Sequence, residues 1–585
     1  MNTALERLLR PQAHGRRHER LDLCWLLGLG LLLIGAGVGL RDPWPPDEPR
    51  FALIARDMLA SGEWLIPRVG ADVYADKPPL FFWIEAALLW LTGSLRLAVF
   101  LPGLLAGLGT VVLVYDLARR LWSREIAFAA GLGLLLTVQF VWQARQGQID
   151  ATLCFFTTLS LYGLLRHLLL GPRWGWFVLG WAAAGVGVIT KGVGFLPLAI
   201  LPLHAVLRRM SPRAEDRAAA SSVWGWAAGP LALAATVSLW LAPMLIAAAN
   251  DPAIAAYRDE ILYGQTVERY IDARHHHEPF WYFFVQVIPV LWAPLTALTP
   301  WLWRCWRLSW RRRDLRVLLP LLWAVLVVLF FSLSSGKRGV YVLPATPAFA
   351  LACAPFLGEL VRRRGPRLAL FAATCAVAVL TLGAAAYALV DAQRRQWLLE
   401  AYGIDVVAPL LVIGLTIAVV CAMSGPRRGF AAYGAMLAGV LWIVGFWVNP
   451  AMNEARSGAR FMRKVERLAA DGAELGLLAY KEQYLLHITR PAVNFGHARW
   501  RERGQEADDA AAWLAQDGER MLLVDEFARE RCFREATTRE VGWSNRARWY
   551  LVSGEANPEC AGRGDLSAAR EYAPPSARRR SRAHE

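Results

Sequence analysis

Apolar residues fall in fourteen long stretches: near 22–40, 78–93, 97–117, 125–144, 150–170, 174–190, 192–208, 223–249, 280–303, 316–333, 339–361, 367–391, 405–424 and 429–448. A helix needs about 20 apolar residues to cross a bilayer, so the pattern predicts an α-helical polytopic membrane protein. If all fourteen cross, the loops "ARRLWSRE", "RRMSPRAEDR", "RCWRLSWRRRDLR", "VRRRGPR" and "GPRRG" face outward, against the tendency of basic loops to stay inside. If 78–93 instead lies along the membrane surface, all five loops and the amino tail become cytoplasmic. That stretch is short and opens with "KPPL", which suits an interfacial helix with a proline start. The expectation is thirteen spans within 22–448, a cytoplasmic tail at 1–21, a first outer loop at 41–96 and an outer carboxy-terminal region from 449.

Within the first outer loop, Phe51, Ile54, Ala55, Met58 and Leu59 recur at helical spacing. They predict an amphipathic helix lying on the outer membrane surface. Past residue 448 the pattern changes to a helix at 456–471, strands at 475–480 and 491–495, a helix at 506–516 and a strand at 520–525. Alternating helices and strands predict a small α/β domain over 449–575, followed by a disordered basic tail at 576–585.

Composition sharpens this reading. The 585 residues are 56% hydrophobic, too apolar for a single soluble core, and the 27 Trp and 24 Phe suit lipid-facing surfaces and interfacial belts. A formal charge of +16 would suggest nucleic acid in a soluble protein. Here the bases sit between apolar stretches, so they speak for topology and anionic lipid headgroups, with no nucleic acid partner. No small-residue cleavage site follows the first apolar stretch, so it reads as an anchor rather than a removable signal. Six cysteines fall in or beside apolar runs. Cys532 and Cys560 are the two in the polar tail, and on an oxidising outer side they are expected to pair.

The remaining polar residues gather at outer loops and their mouths. Asp47 and Glu48 stand in "PPDEP" before the loop helix, where an acid serves either as a helix N-cap or as a group facing a cavity. Arg50 adds positive charge or pairs with Asp47, and Arg56 and Asp57, adjacent in sequence, are not expected to face each other. Asp150 opens a span, where an acid at membrane depth costs about 2.5–3.5 kcal/mol and needs a partner, unless it only caps the helix. Lys191 lies between two spans under the same argument, with headgroup contact as its plain alternative. Lys77 is a phosphate ligand or a snorkelling lysine. Lys337, Arg338 and Tyr341 sit at another outer mouth, where adjacent bases call for an anionic partner. Tyr74 and Trp83 stack on sugar or prenyl groups, or anchor the interface.

The loop "WPPDEPRFALIARDMLASGEWLIPRVGADVYADKPPLFFW" resembles the first outer loop of the lipid-linked-sugar glycosyltransferases, a superfamily that includes the aminoarabinose transferases and the protein O-mannosyltransferases. "VITKGVGFLPLAI", "VERYIDARHHHEPFWYFF" and "SSGKRGVYVLPATPAFAL" resemble further segments of that superfamily in the same order, so the likeness covers most of 20–350. The resemblance implies an inverting transfer of a sugar from a polyprenyl phosphate to an acceptor at the outer face of a bacterial inner membrane. Lipid A is the favoured acceptor and an aminoarabinose-like sugar the favoured donor group. A protein or another envelope glycan is the alternative acceptor, and transport of a lipid-linked sugar the alternative of another class. Asp47 matches the family's loop acid, the group expected to activate the acceptor, with Glu48 the weaker candidate. Cations are wanted for the leaving phosphate, and Lys77 is the foremost of them. In the resembled transferases a Glu before the Lys-Pro motif and a His before the aromatic motif suggest a zinc site. Here the acid is Asp76, one methylene shorter, and His276 matches the histidine. No cofactor is required, and any zinc is expected to be structural. A transporter would want charges near the bilayer midplane and internal repeats. The charges here lie at helix mouths and no repeat stands out.

Overall fold

The computed structural model describes residues 16–210, 222–268, 277–497, 499, 502–534 and 536–575. Among these, eight helices are long and apolar enough to cross a membrane, or ten if each of two bent pairs forms one span. The pairs are Arg124–Leu135 with Val138–Ala144, bent by 67°, and Phe283–Leu291 with Thr296–Arg312, bent by 99°. Leu80–Thr92, Trp174–Thr190 and Ala345–Leu360 are shorter apolar helices. The chain is therefore a multi-pass helical membrane protein.

The helix ends show why these segments start and stop where they do. Ser94 caps Leu95–Leu121 by accepting from the Leu97 amide, and Arg119 and Arg120 fill its last turn, where cations complement the helix dipole. Arg145 locks one end of the bundle. Its buried guanidinium donates to the carbonyls of Leu33, Ala36 and Leu441 at 2.6, 2.8 and 3.0 Å, satisfying acceptors that helix termini leave open.

Both flanks of Leu80–Thr92 are tied to the same region. The Trp83 indole donates to the Trp64 carbonyl at 2.7 Å, and Arg96 donates to Asp42 at 2.6 Å. Asp42 in turn bonds Asn453 at the root of the carboxy-terminal domain. The segment that leaves Asp42 thus returns to it at Arg96.

The loop after Glu48–Ser61 holds a short antiparallel ribbon, β1 (Arg68–Val69) and β2 (Asp72–Val73). The carboxy-terminal domain is built on a six-stranded mixed sheet. Its strands are β3 (Leu475–Leu477), β4 (Ala492–Asn494), β5 (Met521–Asp525), β6 (Thr537–Ser544), β7 (Ala547–Ser553) and β8 (Arg570–Tyr572), in spatial order β6-β7-β5-β3-β4-β8. The central β3 pairs in parallel with β4 and β5, and the edges are antiparallel. The sequence pattern anticipates β3, β4 and β5, and its two helices are observed at Ala459–Leu468 and Arg503–Leu514. It misses the β6–β7 hairpin, turned through Asn545 and Arg546 at positive φ, and it misses β8. Cys532 and Cys560 are joined in a disulfide.

Alternation along β5 and β7 divides two cores. Leu522, Val524, Tyr550 and Val552 face a core containing Ala507, Ala511 and Leu514 of the helix Arg503–Leu514. Met521, Leu523, Trp549 and Leu551 face the other side, as the period of two requires. That second core also contains Phe51, Ala52, Leu53, Ile54 and Met58. The apolar face of Glu48–Ser61 is therefore covered by the carboxy-terminal domain, not by lipid, which corrects the expectation of a membrane-surface helix. Periodicity reports that a face is buried, and the covering partner here lies over 400 residues away in sequence. Arg56 and Asp57 depart from expectation too: they bond each other at 3.1 Å, while Arg56 also reaches the Leu486 carbonyl at 2.7 Å and Asp57 accepts from the Tyr572 hydroxyl.

Candidate active site

Asp47 stands at the N-cap position of Glu48–Ser61, yet its side chain makes no capping bond. Its Oδ2 instead accepts from Arg338 at 3.0 Å and from Gln148 at 3.1 Å. The carboxylate is 17% exposed, so a substrate group can reach it. Burial alone would lower the pKa of Arg338, but the charge and hydrogen bond of Asp47, helped by Asp150 and Tyr341, turn the net shift upward. A second pair lies close by. Lys191 donates to Asp150 at 2.6 Å, and its ammonium sits 4.7 Å from the centre of the Tyr341 ring. Asp47, Asp150, Lys191, Arg338 and Tyr341 thus converge from four separate segments of the chain.

Local structure fixes each member. Gln148 is the N-cap residue of Ile149–Leu169, which places Asp150 in its first turn. Gln143 donates to Gln148 and holds the amide that reaches Asp47. Gln139 donates to the Gly339 carbonyl at 2.6 Å and accepts from the Trp292 indole at 2.6 Å, anchoring the short 3₁₀ turn Gly339–Val342 that carries Tyr341. The three glutamines were not singled out in the sequence. For Gln143 and Gln148 the signal is the polar run "QARQGQID" between apolar stretches; Gln139 lies inside the apolar stretch before it.

Other candidates fall outside this group. Glu48 is 4% exposed and accepts from both terminal nitrogens of Arg41, at 2.5 and 2.7 Å, from the Trp44 amide at 2.9 Å and from the Gly147 amide at 3.0 Å. Four donors occupy its lone pairs, so it holds the loop together and has none left for a substrate proton. Arg50 pairs with neither Asp47 nor an open cavity but with Glu482 of the carboxy-terminal domain at 2.7 Å. Tyr74 is buried beside the Arg50 guanidinium, 5.7 Å from its ring centre. Burial first, and the charge of Asp76 second, push its hydroxyl pKa up, so it stays a neutral phenol. Lys337 is buried and donates to the carbonyls of Glu278 and Ser334, both at 2.6 Å. Its role is to join two outer loops, a join extended by the backbone bridge between His277 and Gly336. Trp83 serves the loop through its bond to Trp64.

Lys77 donates to the Asp76 carbonyl at 2.9 Å. His276, the histidine expected to complete a zinc pair with Asp76, lies outside the described residues. Among the described residues, the one group of three metal-ligating side chains within reach of each other is Asp508, Cys532 and Cys560. The sulfurs there are bonded to each other, which leaves no thiolate to bind zinc.

Known proteins resemble the chain in sequence and in fold. The family described as dolichyl-phosphate-mannose-protein mannosyltransferase matches residues 76–240. The undecaprenyl phosphate-alpha-4-amino-4-deoxy-L-arabinose arabinosyl transferase 2 of Sodalis glossinidius is 30% identical over 372 residues, covering 60% of this chain and 64% of that protein. The corresponding arabinosyl transferase of Edwardsiella ictaluri is 31% identical over 339 residues, covering 56% and 57%. The matched regions thus span less than two thirds of these curated relatives. The crystal structure of ArnT from Cupriavidus metallidurans bound to undecaprenyl phosphate superposes with a TM-score of 0.71 at 23% identity, over 90% of this chain and 97% of that one. The chain is a polytopic membrane protein with the ArnT fold. The resemblance to the superfamily of aminoarabinose transferases and protein O-mannosyltransferases, read from the first outer loop, is borne out.

Proposed function

We propose that the chain is an inverting glycosyltransferase that moves an aminoarabinose-like sugar from a polyprenyl phosphate to a lipid A-type glycolipid. The observation that carries this reading is the convergence of Asp47–Arg338 and Asp150–Lys191 at the mouth of a membrane-embedded bundle. The names of the similar arabinosyl transferases support the sugar and the lipid carrier.

In this mechanism Asp47 orients the attacking oxygen of the acceptor and takes its proton. Both of its observed hydrogen bonds go to Oδ2, and among the described residues none is made to Oδ1. Arg338, Lys191 and Lys77 face the charge that develops on the departing phosphate. Asp150 steers Lys191, and Tyr341 packs on the same ammonium. The reaction needs no cofactor, and a zinc held through Asp76 would brace the loop.

The same reading carries a topology with it. The eight long helices, the two bent pairs, the two shorter helices Trp174–Thr190 and Ala345–Leu360, and the first helix Arg16–Ile34 make thirteen spans. Leu80–Thr92 then lies along the surface, supported by the return of Arg96 to Asp42. The amino tail is cytoplasmic, and the loop 41–96 and the domain 449–575 are periplasmic, in a bacterial inner membrane.

The test supplies purified wild type and Asp47→Asn with polyprenyl-phosphate-linked sugars singly, and reads lipid A mass. Wild type should add one aminoarabinose per event and Asp47→Asn none, with both equally well folded. Near-normal turnover by Asp47→Asn would refute the assignment. Donor consumption without a lipid A product would move the acceptor to a protein or another glycan.

A further inference from the structure

The proposed base reaches the carboxy-terminal domain through one buried charge. Asp47 lies three residues before Arg50, so one helical turn joins the two. Nε and a terminal nitrogen of Arg50 both contact Glu482 Oε1 at 2.7 Å. The same oxygen contacts the His497 ring at 3.0 Å, and the His497 amide donates to Asp72 at 2.7 Å. Arg50 lies beside Tyr74, which stands two residues ahead of Asp76 and three ahead of Lys77. A single domain carboxylate therefore holds the turn that carries Asp47. Burial alone would raise the pKa of Glu482. The His497 hydrogen bond and the Arg50 charge overcome that and pull it down to about 2, so the anchor is ionised at any physiological pH. Asp47 makes no capping bond of its own; Arg338 and Gln148 hold its Oδ2, and the placement of the first turn sets the backbone position from which its side chain reaches them. The far end of the helix is held separately, by Arg56 on the Leu485 and Leu486 carbonyls and by Tyr572 on Asp57.

We propose that Glu482 is a positioning residue for the transfer reaction: through Arg50 it sets the first turn of Glu48–Ser61 and so aims Asp47 at the group around Asp150 and Lys191. This rests on the role given to Asp47 above. A displacement of about 1 Å at a reacting group can cost on the order of a hundredfold in rate, and binding of the donor does not depend on the aim of the base. The loss therefore belongs in kcat.

The experiment uses the full chain in lipid nanodiscs and measures kcat and donor KM for Glu482→Gln, Arg50→Gln, the double variant and Tyr572→Phe. Glu482→Gln should lower kcat by about tenfold or more with donor KM within about twofold of wild type. The double variant should match the singles, because the two residues act as one unit. Tyr572→Phe, which loosens only the far end of the helix, should keep kcat within about twofold. If Glu482→Gln does not fold, Glu482→Asp keeps the charge and shortens the reach, and its kcat should be reduced at an unchanged melting temperature. Wild-type kcat in Glu482→Gln or Glu482→Asp, multiplying losses in the double variant, or an equal loss in Tyr572→Phe would each overturn the proposal. Asp47→Asn runs beside them. If it is inactive while Glu482→Gln is normal, only the positioning role falls. If it stays active, the role of Asp47 falls and this proposal with it.

Discussion

Glu48 and Asp47 are neighbours with opposite assignments, and Glu48→Gln separates them. The Arg41–Glu48 pair is nearly sealed, with side chains 6% and 5% exposed. Arg41 is also wedged between the Trp44 and Phe100 rings, at 4.5 and 4.3 Å from their centres. A glutamine keeps one acceptor oxygen but turns an NH2 group toward donors and leaves the guanidinium unbalanced. Breaking a buried pair in this way costs roughly 3–5 kcal/mol. At about 1.4 kcal/mol per tenfold, local opening of the loop should rise by between about two and four powers of ten. The reporters are the Trp44 and Gly147 amides, which donate to Glu48. Hydrogen exchange of peptides covering them should quicken by that factor, and turnover should fall with it. Asp47→Asn should leave exchange unchanged while removing turnover. Protection within about threefold of wild type in Glu48→Gln would refute the structural role. Loss of turnover at full protection would return Glu48 to the chemistry.

Glu85 is completely buried, and neither carboxyl oxygen has a hydrogen-bond partner among the described residues. Burial first, and the charge of Glu48 second, hold its pKa well above the ordinary 4.5. The folded protein keeps that proton while the unfolded chain releases it, so stability should fall as pH rises above 4.5 toward the folded value. Glu85→Gln should flatten this part of the melting-temperature profile, and an identical slope in the variant would contradict the assignment. Reducing the Cys532–Cys560 bond, which closes a separation of 28 residues, should destabilise the carboxy-terminal domain by about 3.5 kcal/mol on the chain-entropy estimate. Denaturant unfolding with and without reductant measures it, and coincident curves would oppose it. Chelation should leave kcat unchanged and at most lower the melting temperature. Activity lost to a chelator and restored by zinc would place the metal in the reaction.

The sequence made some of this legible and hid the rest for identifiable reasons. Asp150 and Lys191 stood out because charge beside apolar runs is costly, and they prove to be each other's partners. Lys337 stood out by the same argument, yet its ammonium is spent on two carbonyls. Cost at membrane depth says that a partner exists and not whether it is a substrate or the backbone. Arg50 could not be assigned from its own loop, because Glu482 is 432 residues away. The strand β6 escaped notice because four of its first residues are exposed and its composition is charged, as befits an edge strand. The central β5, buried along its whole length, was the easiest strand to read.

The shared core of loop and carboxy-terminal domain has a consequence for biosynthesis. Arg56 and Tyr572, which touch, are separated by 516 residues. At roughly 5–20 residues per second, translation brings the second to the first only after about half a minute to two minutes. Until β3 is made, which is most of that interval, the face of Phe51, Ile54 and Met58 has none of its final neighbours from the sheet. The loop emerges first and matures last, so a nascent chain carrying every membrane span still lacks a finished site until its final strand has docked.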